Sequence, residues 1–254
     1  MKSSNFLTKS SRIIPFIVLL IIWHVLTVNT PRREFLFGSP YKVAVEFWNQ
    51  LYSGMLIKDT MLTAIEALLG FLAGNIVGTF MGLGMWYSRW IAYISRPYIV
   101  AIGSIPIFSM APMLIIWFGT GFFAKVVMAV FSTFIVSLVQ AYEGALNVDQ
   151  DQIRLLHSFG ASRNQIFRKL IIPSSVVWVI ASYKVNIGFA ILGAFIGEYI
   201  SSSAGLGHLI IRAGGLYNIP LVLVGIIMIM LISLTFSYIL GFLERKLLAW
   251  KYIR

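Results

Sequence analysis

Ionisable side chains inside long apolar stretches are the first place to look for chemistry, because a charge near the centre of a membrane-length helix costs on the order of 2.5 to 3.5 kcal/mol on insertion scales. Four such side chains are weighed here: His24, Glu66, Lys184 and Glu198. Lys184 lies eleven residues beyond Pro173, about 16 Å along a helix rising roughly 1.5 Å per residue, which places it near mid-membrane. There it either attracts an anionic solute or sits at a helix contact, neutral or paired with a carbonyl. Glu198 shares its face fourteen residues on, but the gap of about 21 Å prevents pairing within one helix. Glu66 belongs near the outer end of its stretch, where a local ion pair is the expectation and an altered substrate charge the alternative. His24, alone among apolar residues, reads as a hydrogen-bonded packing histidine. Other chemistries lack their residues. There is no cysteine, the three histidines miss the i, i+4 spacing of a helical zinc site, and HExxH, GxSxG and GxxxxGK[ST] do not occur. No catalytic or metal-binding residue is assigned, and the chain is not expected to be an ATPase or another enzyme.

The elements that hold these residues follow from composition. Of 254 residues, 59% are apolar and 11% charged, against roughly 45 to 50% and about 25% in soluble domains. With a mean hydropathy of +0.86 and apolar runs near or above the roughly 18 residues that cross a bilayer, the class is an all-α polytopic membrane protein. The alternating segments of a transmembrane barrel are absent. Six spans are read, at Ile13 to Val28, Met61 to Trp86, Tyr98 to Phe118, Phe122 to Tyr142, Ser174 to Ile200 and Leu221 to Leu243. They form one domain, residues 13–243, between an N-terminal tail (1–12) and a basic C-terminal tail (244–254). No small-x-small cleavage site follows Val28, so the first span is read as retained rather than as a cleaved signal peptide.

The net charge of +11 would suggest nucleic acid in a soluble protein, but here the basic residues occupy short loops and set orientation. Lys2, Lys9, Arg12, Arg89, Arg96, Arg154, Arg163, Arg168, Lys169, Arg245, Lys246, Lys251 and Arg254 fall on one side; Arg32, Arg33, Lys42, Lys58, Lys125 and Arg212 fall on the other. The positive-inside rule then makes both tails and the loop 143–173 cytoplasmic. In the second span, Gly70, Gly74, Gly78 and Gly82 recur every four residues and predict a ridge for close helix approach. The third span carries Pro106 and Pro112, so it is either bent or broken near Ser104, a broken helix surviving where it lines a cavity. On the outer side, Val43, Val45, Phe47, Trp48 and Leu51 give residues 29–60 an amphipathic helix expected to lie along the surface.

The loop 143–173 is much longer than a helical hairpin needs. Asp149 with Gln152 reads as an acidic capping box opening a short helix, Gly160 as its end, and Ser162 with Gln165 as a second box whose helix stops before Pro173. Leu155, Leu156 and Phe159 form an apolar face that either folds back on the membrane domain or docks into a partner.

Arg154 to Pro173, RLLHSFGASRNQIFRKLIIP, resembles the EAA loop of permease subunits in bacterial binding-protein-dependent ABC importers: EAA, three residues, Gly, nine residues, Ile-x-Leu-Pro. Gly160, Leu170, Ile172 and Pro173 fit that register, while Arg154, Leu155 and Leu156 stand where the family often has Glu, Ala, Ala. FGSPYKVAVEFWNQLYSGML (Phe37 to Leu56), SIPIFSMAPMLIIWFGTG (Ser104 to Gly121) and GEYISSSAGLGHLI (Gly197 to Ile210) are similar to the nitrate, sulfonate and taurine branch, which includes permeases for thiamine-pyrimidine precursors.

The resemblance implies a homodimer of six-helix subunits in the bacterial cytoplasmic membrane, with two ATPase subunits at the cytoplasmic loops and an extracytoplasmic binding protein outside. ATP and Mg would be used by the ATPase, with no cofactor on this chain. Arg154, Leu155, Leu156, Phe159, Gly160, Ala161, Ser162 and Pro173 would couple to the ATPase. Lys184, Glu198, Glu66, Ser104 and Pro106 are candidates for the path of a small polar or anionic nutrient. The family commonly has a basic residue at the position of Lys184. Glu198 matches its Glu seven residues before the Gly-Leu-Gly turn, here Gly205 to Gly207, and is expected to hold that turn. The rival class, an ion-coupled secondary transporter, calls for inverted repeats and paired intramembrane acids; no repeat is evident.

Overall fold

The computed structural model describes residues 4–28 and 30–247 and is helical throughout. Along the chain run α1 (Ser4–Val28), α2 (Pro31–Phe37), α3 (Pro40–Tyr52), α4 (Met55–Met85), α5 (Arg89–Gly103), α6 (Ile107–Phe118), α7 (Phe122–Leu146), α8 (Gln150–Ser158), α9 (Arg163–Ile166), α10 (Ile172–Ser201), α11 (Leu206–Gly215) and α12 (Ile219–Leu247). Among the described residues, four uninterrupted helical stretches are long and apolar enough to cross a membrane: α4, α7, the run from Arg163 to Ser201, and α12. The α5–α6 pair makes a fifth if counted as one broken span, and α1 contributes only a shorter apolar stretch, Ile17–Val28.

Packing centres on α7, which lies between α4 and α10. The glycine ridge of α4 faces it in parallel register: Gly70 opposes Ala129, Gly74 opposes Thr133, Gly78 opposes Ser137 and Gly82 opposes Ala141. A Cβ on any of these glycines would collide with α7, so small residues set the spacing. α10 runs antiparallel on the other side, with Gly193 against Ala129 and Ser132, Gly197 against Lys125 and Met128, and Trp178 against Gly144. The three helices share a buried polar cluster. Asn186 Nδ2 donates to Asn75 Oδ1 and Ser137 Oγ, both at 2.7 Å, and to the Thr133 carbonyl at 3.1 Å; Ser137 also donates to Asn75 Oδ1.

Several boundaries differ from those read in the sequence. The second span starts at Met55 rather than Met61, and the third at Arg89 rather than Tyr98, with Pro97 inside α5. The third span is broken, not merely bent: α5 and α6 meet at 96° across Ser104 to Pro106, while Pro112 is accommodated within α6. The helix after Ser162 does not stop before Pro173. It continues through a π turn, Phe167–Ile171, into α10. A wider turn fits the proline, which lacks a donor and clashes with the carbonyl four residues back in an α-helix. The sixth span extends to Leu247, and the rest of the expected C-terminal tail lies outside the described residues.

The amphipathic segment within 29–60 is two helices, each with Pro in its first turn. Val43, Phe47 and Leu51 of α3 pack into or against the main core, while Val45 and Trp48 stay exposed. Lys42, 3.1 Å from Glu34, and the Ser39 hydroxyl at 3.0 Å link α2 to α3 and hold the Glu34 carboxyl below its ordinary range.

Candidate coupling surface and transport pathway

At one end of the bundle, α8 and α9 form the hairpin expected between Glu143 and Pro173. The Asp149 cap takes the N–H of Asp151, so the expected pairing with Gln152 does not form; the shorter reach closes an Asx turn instead. Gly160 has φ +77° with open space around it, the left-handed conformation that ends a helix. Ser162 and Gln165 form a full capping box: Gln165 N–H donates to Ser162 Oγ at 3.3 Å and Ser162 N–H to Gln165 Oε1 at 2.7 Å. Arg154 and Ser162 are exposed and Ala161 is half-buried.

The apolar face of α8 divides in two. Leu156 and Ile153 pack with Ala161, Leu83, Ala145, Ile166 and Ile171, so Leu156 does not belong to the projecting face. Leu155 and Phe159, four residues apart on one side, are 55% and 77% exposed. The hairpin is also clamped by residues that periodicity did not single out. The Arg163 guanidinium lies 5.3 Å from the Trp86 ring and 5.6 Å from the Tyr87 ring and donates to the Trp86 carbonyl at 3.3 Å. Tyr87 Oη donates to Asn164 Oδ1 at 3.0 Å, and Phe167 stacks on Trp86 with ring centroids 5.6 Å apart. The aromatic pair just beyond α4 and the basic residue that opens α9 were the available signal.

At the opposite end, Glu198 is fully buried and ties the α10–α11 turn together. Its Oε2 accepts from Gly207 N–H at 2.7 Å and its Oε1 from Thr63 Oγ1 at 2.6 Å, while Thr63 accepts from Leu206 N–H at 2.9 Å. Asp59 takes the N–H of Gly205 at 2.9 Å. Gly205 is required there, since a Cβ would strike the Glu198 carboxyl. Glu66 lies buried beside Glu198 and near Lys125, but among the described residues the expected ion pair is not made. Lys125 instead donates to the carbonyls of Thr120 and Ser201, which would otherwise lack partners where their helices begin or end.

Lys184 is neither free nor carbonyl-paired. Its ammonium lies 2.6 Å from Glu244 Oε2 of α12, a partner sixty residues away that a long, flexible lysine stem can reach. His24 is exposed, and its ring makes no hydrogen bond among the described residues. Ser104 and Pro106 stand at the α5–α6 break, where they line a cavity of about 570 Å³ with residues of α7 and α10. The structure thus separates the expected pathway residues into three places: the break, the buried acidic cluster and the α10–α12 ion pair.

Comparison with known proteins gives this arrangement a family. The riboflavin transport system permease protein RibX of Chloroflexus aurantiacus is 31% identical over 94% of this chain and 89% of its own length. The putative aliphatic sulfonates transport permease protein SsuC of Bacillus subtilis is 24% identical over 92% of this chain and 85% of its own. Among solved structures, an inward-facing form of the MetNI methionine ABC transporter superposes with a TM-score of 0.68 at 16% identity, covering 78% of this chain and 98% of that one. Residues 74–249 match the model of the binding-protein-dependent transport system inner membrane component. The chain belongs to that family: it is a multi-pass permease component of a bacterial ABC transport system and is not itself an ATPase.

Proposed function

We propose that this permease pairs with a second copy and carries a small polar organic nutrient inward, delivered by an extracytoplasmic binding protein and driven by two copies of a separate ATPase. In this reading α1 is also a span and brings the total to six, both tails and the α8–α9 hairpin face the cytoplasm, and α11 lies at the outer side. The observation that carries it is the pair Leu155 and Phe159, exposed on a hairpin that is itself clamped to α4. A large apolar side chain held rigidly in water is suited to a partner's pocket. The uninterrupted helix from Arg163 to Ser201 links that contact to the opposite end of the bundle.

The anionic reading of the solute rested on Lys184, and its pairing with Glu244 withdraws that support. Riboflavin and aliphatic sulfonates, the solutes in the relatives' names, support a small organic nutrient as the solute class.

Isolation of the tagged protein in mild detergent, with mass spectrometry of its companions, tests the proposal. A P-loop ATPase at one copy per permease is expected, and it should be lost from Phe159→Asp. A stable permease alone, transporting in ATP-free vesicles under an ion gradient, would make the ion-coupled transporter correct instead.

A further inference from the structure

The chamber at the α5–α6 break has walls of one character. Phe108, Phe131, Phe189 and Phe195 contribute rings from α6, α7 and α10, and no ionisable side chain lines it. Its polar groups are few. Ser104 and Ser132 donate their hydroxyl protons to the Val100 and Met128 carbonyls at 2.7 and 2.9 Å, so toward the chamber they can only accept. Two lining residues also carry backbone donors that the helix leaves unpaired. Pro106 gives α6 no side-chain cap, and the N–H groups of Ile107 and Phe108 have no acceptor among the described residues.

Size and charge narrow the occupant. A volume of about 570 Å³ lies within the roughly 300 to 1,000 Å³ of sites for drug-sized ligands and would leave a nitrate ion or a two-carbon sulfonate loose. An anion there would meet aromatic rings and no counter-charge among the lining side chains, which disfavours it. A lipid acyl chain would match the walls but leave the two amides and two hydroxyls unanswered. Resting on the importer reading, we propose that this chamber receives an uncharged, flat heteroaromatic solute. The four phenylalanines stack against its faces, and the Ile107 and Phe108 amides bond to a ring carbonyl or ring nitrogen.

The test uses the permease–ATPase complex in lipid nanodiscs, with lumichrome as the uncharged tricyclic probe and ethanesulfonate as the small anion. Saturable quenching of lumichrome fluorescence is expected, with no displacement by a hundredfold excess of ethanesulfonate. Leu192→Trp, which fills the chamber, should weaken binding at least tenfold. Phe189→Ala, which removes a stacking face without overpacking, should do so severalfold. Phe80→Trp, on an exposed face of α4, should change nothing. Displacement by ethanesulfonate, indifference to both chamber variants, or a co-purifying phospholipid that lumichrome cannot displace would overturn the assignment. Failure of the two readings is distinguishable. If the complex assembles and hydrolyses ATP but lumichrome does not bind, only the chamber proposal falls. If no ATPase joins the permease, the importer reading falls, and lumichrome binding to the permease alone decides the chamber.

Discussion

Lys184 and Glu244 show how a single partner changes what a residue is for. An intramembrane lysine is a substrate-site candidate by default, yet an ammonium 2.6 Å from a carboxylate is already answered. Removing one partner of a buried pair costs about 3 to 5 kcal/mol, and replacing both with apolar residues is often neutral; the half-exposed Lys184 side chain places this pair below that range. Glu244→Leu should therefore lower the melting temperature in detergent by several degrees, and the double variant Lys184→Met, Glu244→Leu should recover most of the loss and still transport. Loss of transport in a stable double variant would return Lys184 to the pathway. Gly160 is a second residue-level case. Nothing lies within 4 Å of a Cβ there, and its φ is +77°, so Gly160→Val acts through the backbone alone, at about 1 to 2 kcal/mol. Membrane levels should stay normal while transport falls at least severalfold, with Gly160→Asn, which tolerates the left-handed region, restoring part of it.

The helices differ in how openly their sequences announce them. The α4 ridge is a repeat of four carried by one residue type, and its contact with α7 follows from geometry. Gly74→Val would drive side-chain atoms into Thr133 and the Val130 carbonyl, where overpacking costs typically about 1 to 3 kcal/mol. Gly84→Ala, in the same helix with nothing within 4 Å, should instead gain roughly 0.5 to 1 kcal/mol. Melting curves of the two variants should move in opposite directions, and equal destabilisation would sink the ridge as the reason for the spacing. The Ser162–Gln165 box was similarly legible because both partners are local. Pro173 was misleading, since a missing donor ends a helix only when no wider turn absorbs it. The Asn75, Ser137 and Asn186 cluster left no signal: the three stand in separate apolar runs, and only tertiary packing brings them together. For the same reason Glu198 was assigned to its turn from a motif, whereas its bond to Thr63, 135 residues away, was not foreseen.

Across the whole molecule, α4, α7 and α10 behave as one block joined by the glycine ridge and the shared polar cluster, and both ends of the bundle are fastened to it. The far end is tied by Thr63 of α4 and Glu198 of α10 to the turn before α11. The near end is tied by Trp86 and Tyr87, just beyond α4, to Arg163 and Asn164. A displacement imposed on the hairpin is thus shared by two helices rather than absorbed in a loop. Interiors packed this closely transmit strain instead of yielding to it. On the proposed coupling reading, docking and transmission reside in different residues, which kinetics can separate. Phe159→Asp removes the docking group and should lose the ATPase altogether. Arg163→Ala keeps Leu155 and Phe159 but loosens their attachment to α4, removing two aromatic contacts and a hydrogen bond, the aromatic contacts being worth about 0.5 to 2 kcal/mol each. In proteoliposomes the Arg163→Ala complex should retain its ATPase and continue to hydrolyse ATP, while solute moved per ATP falls about tenfold. An unchanged ratio would mean that the clamp is structural only and that motion reaches α10 directly through the π turn.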